Sequence, residues 1–144
     1  GNSGDCGYVV HFTSVVINGS NLKVSNGKSN RAVMKSFNKS ISCYFNCING
    51  VYLGDGVMFG PKVSIISANH NFNDNRSKSI VRESDKIIIH DNVWLGAGVV
   101  VLPGVTIGKN SVIGANSTVV KNIPPNVVVG GSPARVISRL NNNG

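Results

Sequence analysis

The sequence predicts an all-β chain wound as a parallel β-helix, with one protruding loop and a short C-terminal tail. Three observations carry that expectation. Ile89, Leu95, Val101, Ile107, Ile113 and Val119 stand six residues apart, and all are aliphatic. Two positions before each stands Ile87, Val93, Val99, Val105, Ser111 or Ser117, all small or β-branched. The same frame runs upstream through Ile41, Cys47, Leu53, Phe59 and Ile65, with Phe45, Val51, Val57 and Val63 two residues before the last four. The apolar face of an α-helix recurs at about 3.6 residues and that of a half-buried strand at about two, so a strict period of six fits neither. Such a period belongs to coils in which each hexapeptide is one short strand and one corner. The interspersed Gly and Asn suit corners, because Gly takes positive φ freely and Asn tolerates it.

With 144 residues the chain is expected to form one domain, 1–144, large enough to bury about two-thirds of its unfolded surface. Aromatics are only 6% of the residues, which suits a narrow core of stacked aliphatics. There is no long apolar run, so no membrane span is expected. No basic-then-apolar leader is visible, so no signal peptide is expected either. The cysteines are Cys6, Cys43 and Cys47; an odd number without framework spacing points to a reducing compartment, the cytoplasm. The formal charge of +8 suggests an anionic ligand: a phosphorylated cofactor, an acidic polysaccharide or nucleic acid. The basic residues are scattered and no nucleic-acid-binding motif is present, which sets nucleic acid aside.

Taken in order, residues 1–40 read as an irregular first coil. Val10, Val16 and Leu22 keep the period, and it then fails over 27–39. Residues 41–66 read as regular coil. The segment 67–86, SANHNFNDNRSKSIVRESDK, is polar, rich in Asn and lacks a core position. A loop of that length inside a tight repeat is commonly functional, and it is expected to stand out as a flap. The frame resumes over 87–130. Pro124 and Pro125 close the regular coil, since neither offers a backbone donor, and 127–129 read as a last short strand. In the tail, 131–144, residues 134–140 read as amphipathic and as a cap over the open edge of the coil.

His70 is the candidate for acid–base chemistry, because a neutral imidazole at the root of the loop can accept a proton near neutral pH. His90 follows frame residue Ile89 and reads as an outward corner residue. His11 falls in the irregular region. His70 and His90 are twenty residues apart and His11 is remote, so the three do not form a metal-ligand pattern. Cys43 and Cys47 have no His nearby in sequence to activate a thiol, and Cys47 reads as a small core residue.

Two stretches then carry a specific resemblance: SANHNF at 67–72 and IIIHDNVWLGAGVVVLPGVTIGKNSVIGANSTVVKNIPPNVVVGGSPARVI at 87–137. The sequence resembles the hexapeptide-repeat acyltransferases, in particular the sugar O-acetyltransferase branch, over about two-thirds of its length. The resemblance implies a left-handed parallel β-helix and a homotrimer with active sites between subunits. It implies acetyl-CoA as donor and direct transfer of the acetyl group to a sugar hydroxyl. His70 matches the general base, and Ala97 the position whose backbone N–H holds the oxyanion. Trp94, Ala97, Ala115, Val120, Lys121 and Arg135 match cofactor-binding positions: Trp94 as a wall near the acetyl end, Arg135 near the nucleotide phosphate. No metal is implied.

Two departures bear on the acceptor. Relatives often carry an Asn that orients the acceptor where this chain has Tyr44, so that role falls to Tyr44 itself or to Asn46 on the same strand face. No N-terminal helical region of the kind found in maltose and galactoside acetyltransferases is visible. The expectation is therefore a surface polysaccharide or its precursor as acceptor. The alternatives are an antibiotic or other xenobiotic hydroxyl, or a catalytically silent β-helix that binds a glycan or partner.

Overall fold

The structure, a computed structural model, describes residues 10–25, 30–69 and 83–141. The chain winds around three faces of parallel strands. The first face stacks β1 (Val15–Ile17), β3 (Tyr44–Asn46), β6 (Ser64–Ile66), β9 (Val100–Val101) and β12 (Thr118–Val119). The second stacks β2 (Leu22–Val24), β4 (Val51–Leu53), β7 (Ile87–Ile89) and β10 (Thr106–Ile107). The third stacks β5 (Met58–Phe59), β8 (Trp94–Leu95), β11 (Val112–Ile113), β13 (Val127–Gly130) and β14 (Arg135–Arg139). Every pairing is parallel except β13 with β14. One helix, α1 (Asn30–Lys39), lies between β2 and β3.

The repeat becomes a core through register. Val16, Phe45, Ile65, Val101 and Val119 form one vertical row, and Val24, Leu53, Ile89 and Ile107 a second. Phe59, Leu95, Ile113 and Val129 form the third. All but Val24 are buried. Between strands, the backbone turns through residues of positive φ arranged in three columns. Asn18, Gly50 and Gly104 turn from the first face to the second; Gly56, Asn92, Asn110 and Asn126 turn from the second to the third. Ser42, Lys62, Gly98, Asn116 and Gly131 turn from the third to the first. The middle column is also tied through its side chains: Asn92 Nδ2 donates to Asn110 Oδ1 at 3.4 Å, and Asn110 Nδ2 to Asn126 Oδ1 at 3.0 Å.

The six-residue frame needs one correction. Ile41 was placed inward, yet it is 44% exposed in the turn after α1. The residue in register with the core row is Phe45, and the step from Phe45 to Leu53 is eight residues, as is the step from Val16 to Val24. At the other end the step from Val119 to Ile123 is four, with Ile123 bridging to Ile107. Adding or removing two residues preserves strand parity. Cys47 therefore stays buried and the apolar pattern continues unbroken, so a period count alone does not detect the shift.

The irregular first coil resolves into two strands and a helix. β1 and β2 extend the first and second faces, and α1 stands where a third-face strand would. Its hydroxyls take over the edge of β5: Phe59 N–H donates to Ser36 Oγ at 3.2 Å, and Ser40 Oγ donates to the Phe59 carbonyl at 2.7 Å. Phe37 closes the end of the core against Phe45 and Phe59, with ring centroids 5.1–5.5 Å apart. At the opposite end the tail is strand β14 rather than an amphipathic segment packed by one face, since all five of its side chains are exposed. It covers the edge of β13 with backbone bonds, as the cap expectation required.

The phase correction can be tested by a pair of substitutions. Phe45→Ala should lower unfolding stability by about 3–5 kcal/mol, while Ile41→Ala should stay within about 0.5 kcal/mol of the parent. Denaturant melts of the two variants check this, and comparable losses would put Ile41 back in the core.

Candidate functional site

The corner between the third and first faces has a built-in flatness. Gly60, Gly96 and Gly114 directly follow the strands that enter it and Gly130 ends the last, and the coils stack too closely there for side chains: a Cβ on Gly96 would lie 2.7 Å from the Ala115 nitrogen. The next residues, Pro61, Ala97, Ala115 and Gly131, form a column of small groups. Carbonyls in the column receive backbone N–H groups of adjacent coils: Gly98 N–H donates to Pro61 O at 2.9 Å, Asn116 N–H to Ala97 O at 2.8 Å and, from the coil before, Thr118 N–H to Gly131 O at 3.1 Å. The N–H groups of Ala97 and Ala115 have no acceptor among the described residues, and both residues are exposed. Successive positions in the column are about 4.8 Å apart, one strand spacing. The result is a ribbon of outward main-chain donors with little side-chain cover.

Trp94 stands beside this ribbon. It points outward from β8, is 51% exposed, and is in register with Met58 on β5 and Val112 on β11. Arg135 begins β14 at the far end of the same corner. The chain reaches it through a turn anchored on the first face, where Ser132 Oγ lies 3.0 Å from Thr118 Oγ1 and Ala134 N–H donates to Thr118 O at 2.9 Å. Arg135 is exposed, and its Nη1 donates to the Ala134 carbonyl at 3.2 Å. The fold thus aligns Trp94, Ala97, Ala115 and Arg135 along one edge.

Val120, Lys121 and Asn46 lie at the opposite edge of the first face, whereas Tyr44 starts its strand on the Ala97 side. Val120 and Lys121 follow β12 into the corner toward the second face, and both are exposed. Asn46 ends β3 at that corner. It is nearly buried, and its Oδ1 accepts the Ile48 N–H at 3.2 Å. Tyr44 starts the same strand, half-buried, and sits between Val15 and Ser64. His70 and residues 71–82 of the expected flap lie outside the described residues. Ser67, three residues before His70, is fixed by neighbours: its N–H donates to Asn46 O at 2.9 Å, and Asn49 donates to Ser67 Oγ and Ser67 O at 2.9 and 2.7 Å. Ser67 is thereby held at the Asn46 end of the first face. His90 stays apart, exposed at the corner between the second and third faces.

Two features went unread in the sequence. Met58 joins Trp94 in an exposed apolar stripe, and α1 brings Arg31, Lys35 and Lys39 to the rim of a pocket of about 550 Å³ against Met58 and Trp94. The signal was present as cations at every fourth residue, alternating with Val33, Ser36, Phe37 and Ser40. Cys43 and Cys47 are free thiols buried in the core, and burial pushes the Cys43 thiol above its ordinary pKa. Neither is placed to act as a nucleophile, which needs thiolate and access.

Comparison with known proteins gives a consistent picture. A family profile described as bacterial transferase hexapeptide (six repeats) matches residues 86–121. Over 93 residues, 65% of this chain and 45% of the relative, the sequence is 50% identical to a galactoside O-acetyltransferase of Lactococcus lactis subsp. lactis (strain IL1403). The structure is similar to a maltose O-acetyltransferase from Clostridium difficile 630, with a TM-score of 0.76 and 34% identity, over 92% of this chain and 66% of that one. It is also similar to a galactoside acetyltransferase in complex with coenzyme A, with a TM-score of 0.66 and 34% identity, over 90% and 63%. The chain spans about half the length of the curated relatives it matches.

The thiol assignment has a direct check. In a Cys6→Ser variant, Cys43 and Cys47 should resist a thiol reagent at pH 7 until denaturant unfolds the chain. The direction follows from burial, which disfavours the thiolate of Cys43 in the folded state. Stoichiometric labelling of the native protein would overturn it.

Proposed function

The chain carries a hexapeptide-repeat transferase domain folded as a left-handed parallel β-helix, and from that premise we propose that it transfers an acetyl group from acetyl-CoA to a hydroxyl of a sugar. The observation that carries the proposal is the donor ribbon at Ala97 and Ala115 beside exposed Trp94, in a chain 50% identical over 93 residues to a galactoside O-acetyltransferase.

The residues fit such a donor. Small side chains at 97 and 115 leave the coil edge open to a narrow pantetheine arm, and their N–H groups are available to its polar atoms. Arg135, at the far end, offers a charge-assisted contact to a phosphate. Trp94 supplies an apolar wall close to Ala97. In this reading acetyl-CoA brings the activated thioester, and the Ala97 N–H stabilises the negative charge that develops on the thioester oxygen. His70 accepts the proton of the sugar hydroxyl as that oxygen attacks the carbonyl carbon; the C–S bond breaks, and the thiolate recovers the proton from His70. No covalent enzyme intermediate is required. In this reading Asn46 and Tyr44, on one strand, orient the acceptor.

A homotrimer is part of the same proposal. The candidate residues divide between two edges of the first face, separated by a strand of about 10 Å. Packing one copy's first-to-second corner against another's third-to-first corner would unite them, placing Lys121 and Asn46 of one copy across from Ala97 and Trp94 of the next. The acceptor in this reading is a surface polysaccharide or its precursor. The site of action is the cytoplasm, where acetyl-CoA is made and thiols such as Cys43 and Cys47 stay reduced. Among the described residues no helix is long and apolar enough to cross a membrane.

A free-thiol release assay with acetyl-CoA and a panel of oligosaccharides, simple sugars and hydroxylated antibiotics tests the proposal. Release should require one acceptor class, and His70→Ala should lower kcat by about 10²–10⁴-fold while CoA affinity is retained. Turnover unchanged in His70→Ala would remove it from the mechanism. Absence of CoA binding by the parent protein would remove the activity itself.

A further inference from the structure

The face of α1 bears three cations in line. Arg31, Lys35 and Lys39 follow at intervals of four, so they share one side of the helix and span about 12 Å at 1.5 Å per residue. All three are exposed, and none meets a carboxylate among the described residues. The helix carries no acidic residue at all. Like charges at this spacing repel one another, so they contribute nothing to holding the helix. The helix is held instead through Val33 and Phe37 in the core and through Ser36 and, just past its end, Ser40 on β5. Because Ser36 and Ser40 are bonded to β5, the cationic row is fixed in direction. It stands over the pocket of about 550 Å³ floored by Met58 and Trp94, within the size range of small-molecule sites. Gly60, on the pocket wall, lies against Ala97, with a Cβ there meeting the Ala97 nitrogen at 3.0 Å.

We infer that this pocket takes the acceptor, and that the acceptor is an acidic glycan whose carboxylates or phosphates pair with Arg31, Lys35 and Lys39 while a sugar ring lies on Trp94. The inference rests on the acetyl-transfer reading and deepens it by naming the acceptor's charge. The order along the edge is consistent with it. Arg135 lies at one end of the small-residue column and the cationic helix at the other, so donor phosphate and acceptor anion are held apart, with Ala97 between them. An apolar ring surface with a row of cations at one side matches a sugar that carries its charge on an exocyclic group.

Binding, rather than turnover, tests the assignment. Titration calorimetry would use a hyaluronan hexasaccharide, the same hexasaccharide with its carboxyls reduced, and a maltotriose phosphate. The parent protein should bind at least one of the two anionic sugars at least tenfold more tightly than the carboxyl-reduced hexasaccharide, with affinity falling as salt rises. Preference for the hexasaccharide would assign carboxylate, and preference for the phosphate ester would assign phosphate. The exposed triple substitution Arg31→Gln, Lys35→Gln, Lys39→Gln should erase the preference while leaving CoA affinity and thermal midpoint unchanged. Lys35→Gln alone should reduce it in part. Equal affinity for charged and neutral sugars, no binding of either anionic sugar, or a preference that survives the triple substitution would each overturn the inference. Failure of the acetyl-transfer reading would show separately, as absence of CoA binding.

Discussion

Each coil must return to the same register one strand spacing further along the axis, and this closure condition governs the molecule. Strands two to four residues long cannot bend around a core, so the chain turns sharply three times per coil, and most of the described turns pass through residues in the left-handed backbone region. Those residues stack into columns because the strands between them stay in register. Where φ is positive, Gly is free and Asn tolerates the geometry; this chain uses Asn at Asn92, Asn110 and Asn126 and links the side chains along the column. At Gly98 a side chain would collide with Asn116 Oδ1 as well as strain the backbone. The inward aliphatic rows follow from the same closure, since strands held in register stack their inward residues one above another.

The candidate site is a by-product of that closure. A coil edge built from Gly and Ala cannot cover its own backbone, and at Ala97 and Ala115 it leaves N–H donors facing outward. A protein that must bind a long, thin, polar donor gains an extended binding edge without dedicated loops. Specificity for the second substrate has to come from elements that interrupt the repeat. Those are the helix that replaces a strand at the start, the segment 67–86, and the first strands of the coil.

What the sequence made legible follows the same division. Phe59, Leu95, Ile107 and Ile113 were readable as core because each repeats at a fixed distance, and the corner glycines and asparagines were readable from the same spacing. Phe45 and Ile41 were misassigned because a two-residue insertion keeps parity, so the pattern looks continuous while the register moves. The helix at Asn30–Lys39 was missed because its pattern of Val33, Phe37 and two serines covers only one side for ten residues, too little to stand out where a hexapeptide period was being followed. Trp94, Ala97, Ala115 and Arg135 were found through resemblance, and the structure adds that they share one edge while Val120, Lys121 and Asn46 occupy the other. That division depends on which corner each residue turns, which a linear spacing does not reveal.

The central claim is that the column from Ala97 to Arg135 is the edge along which coenzyme A lies. The most direct measurement is a crystal structure of the protein soaked with coenzyme A. The account predicts the thiol beside the Ala97 N–H and Trp94, pantetheine amides paired with the coil edge at Ala115, and phosphate near Arg135. Coenzyme A bound instead on the second face, among Lys23, Tyr52 and Lys86, with the Ala97–Ala115 edge empty, would contradict it.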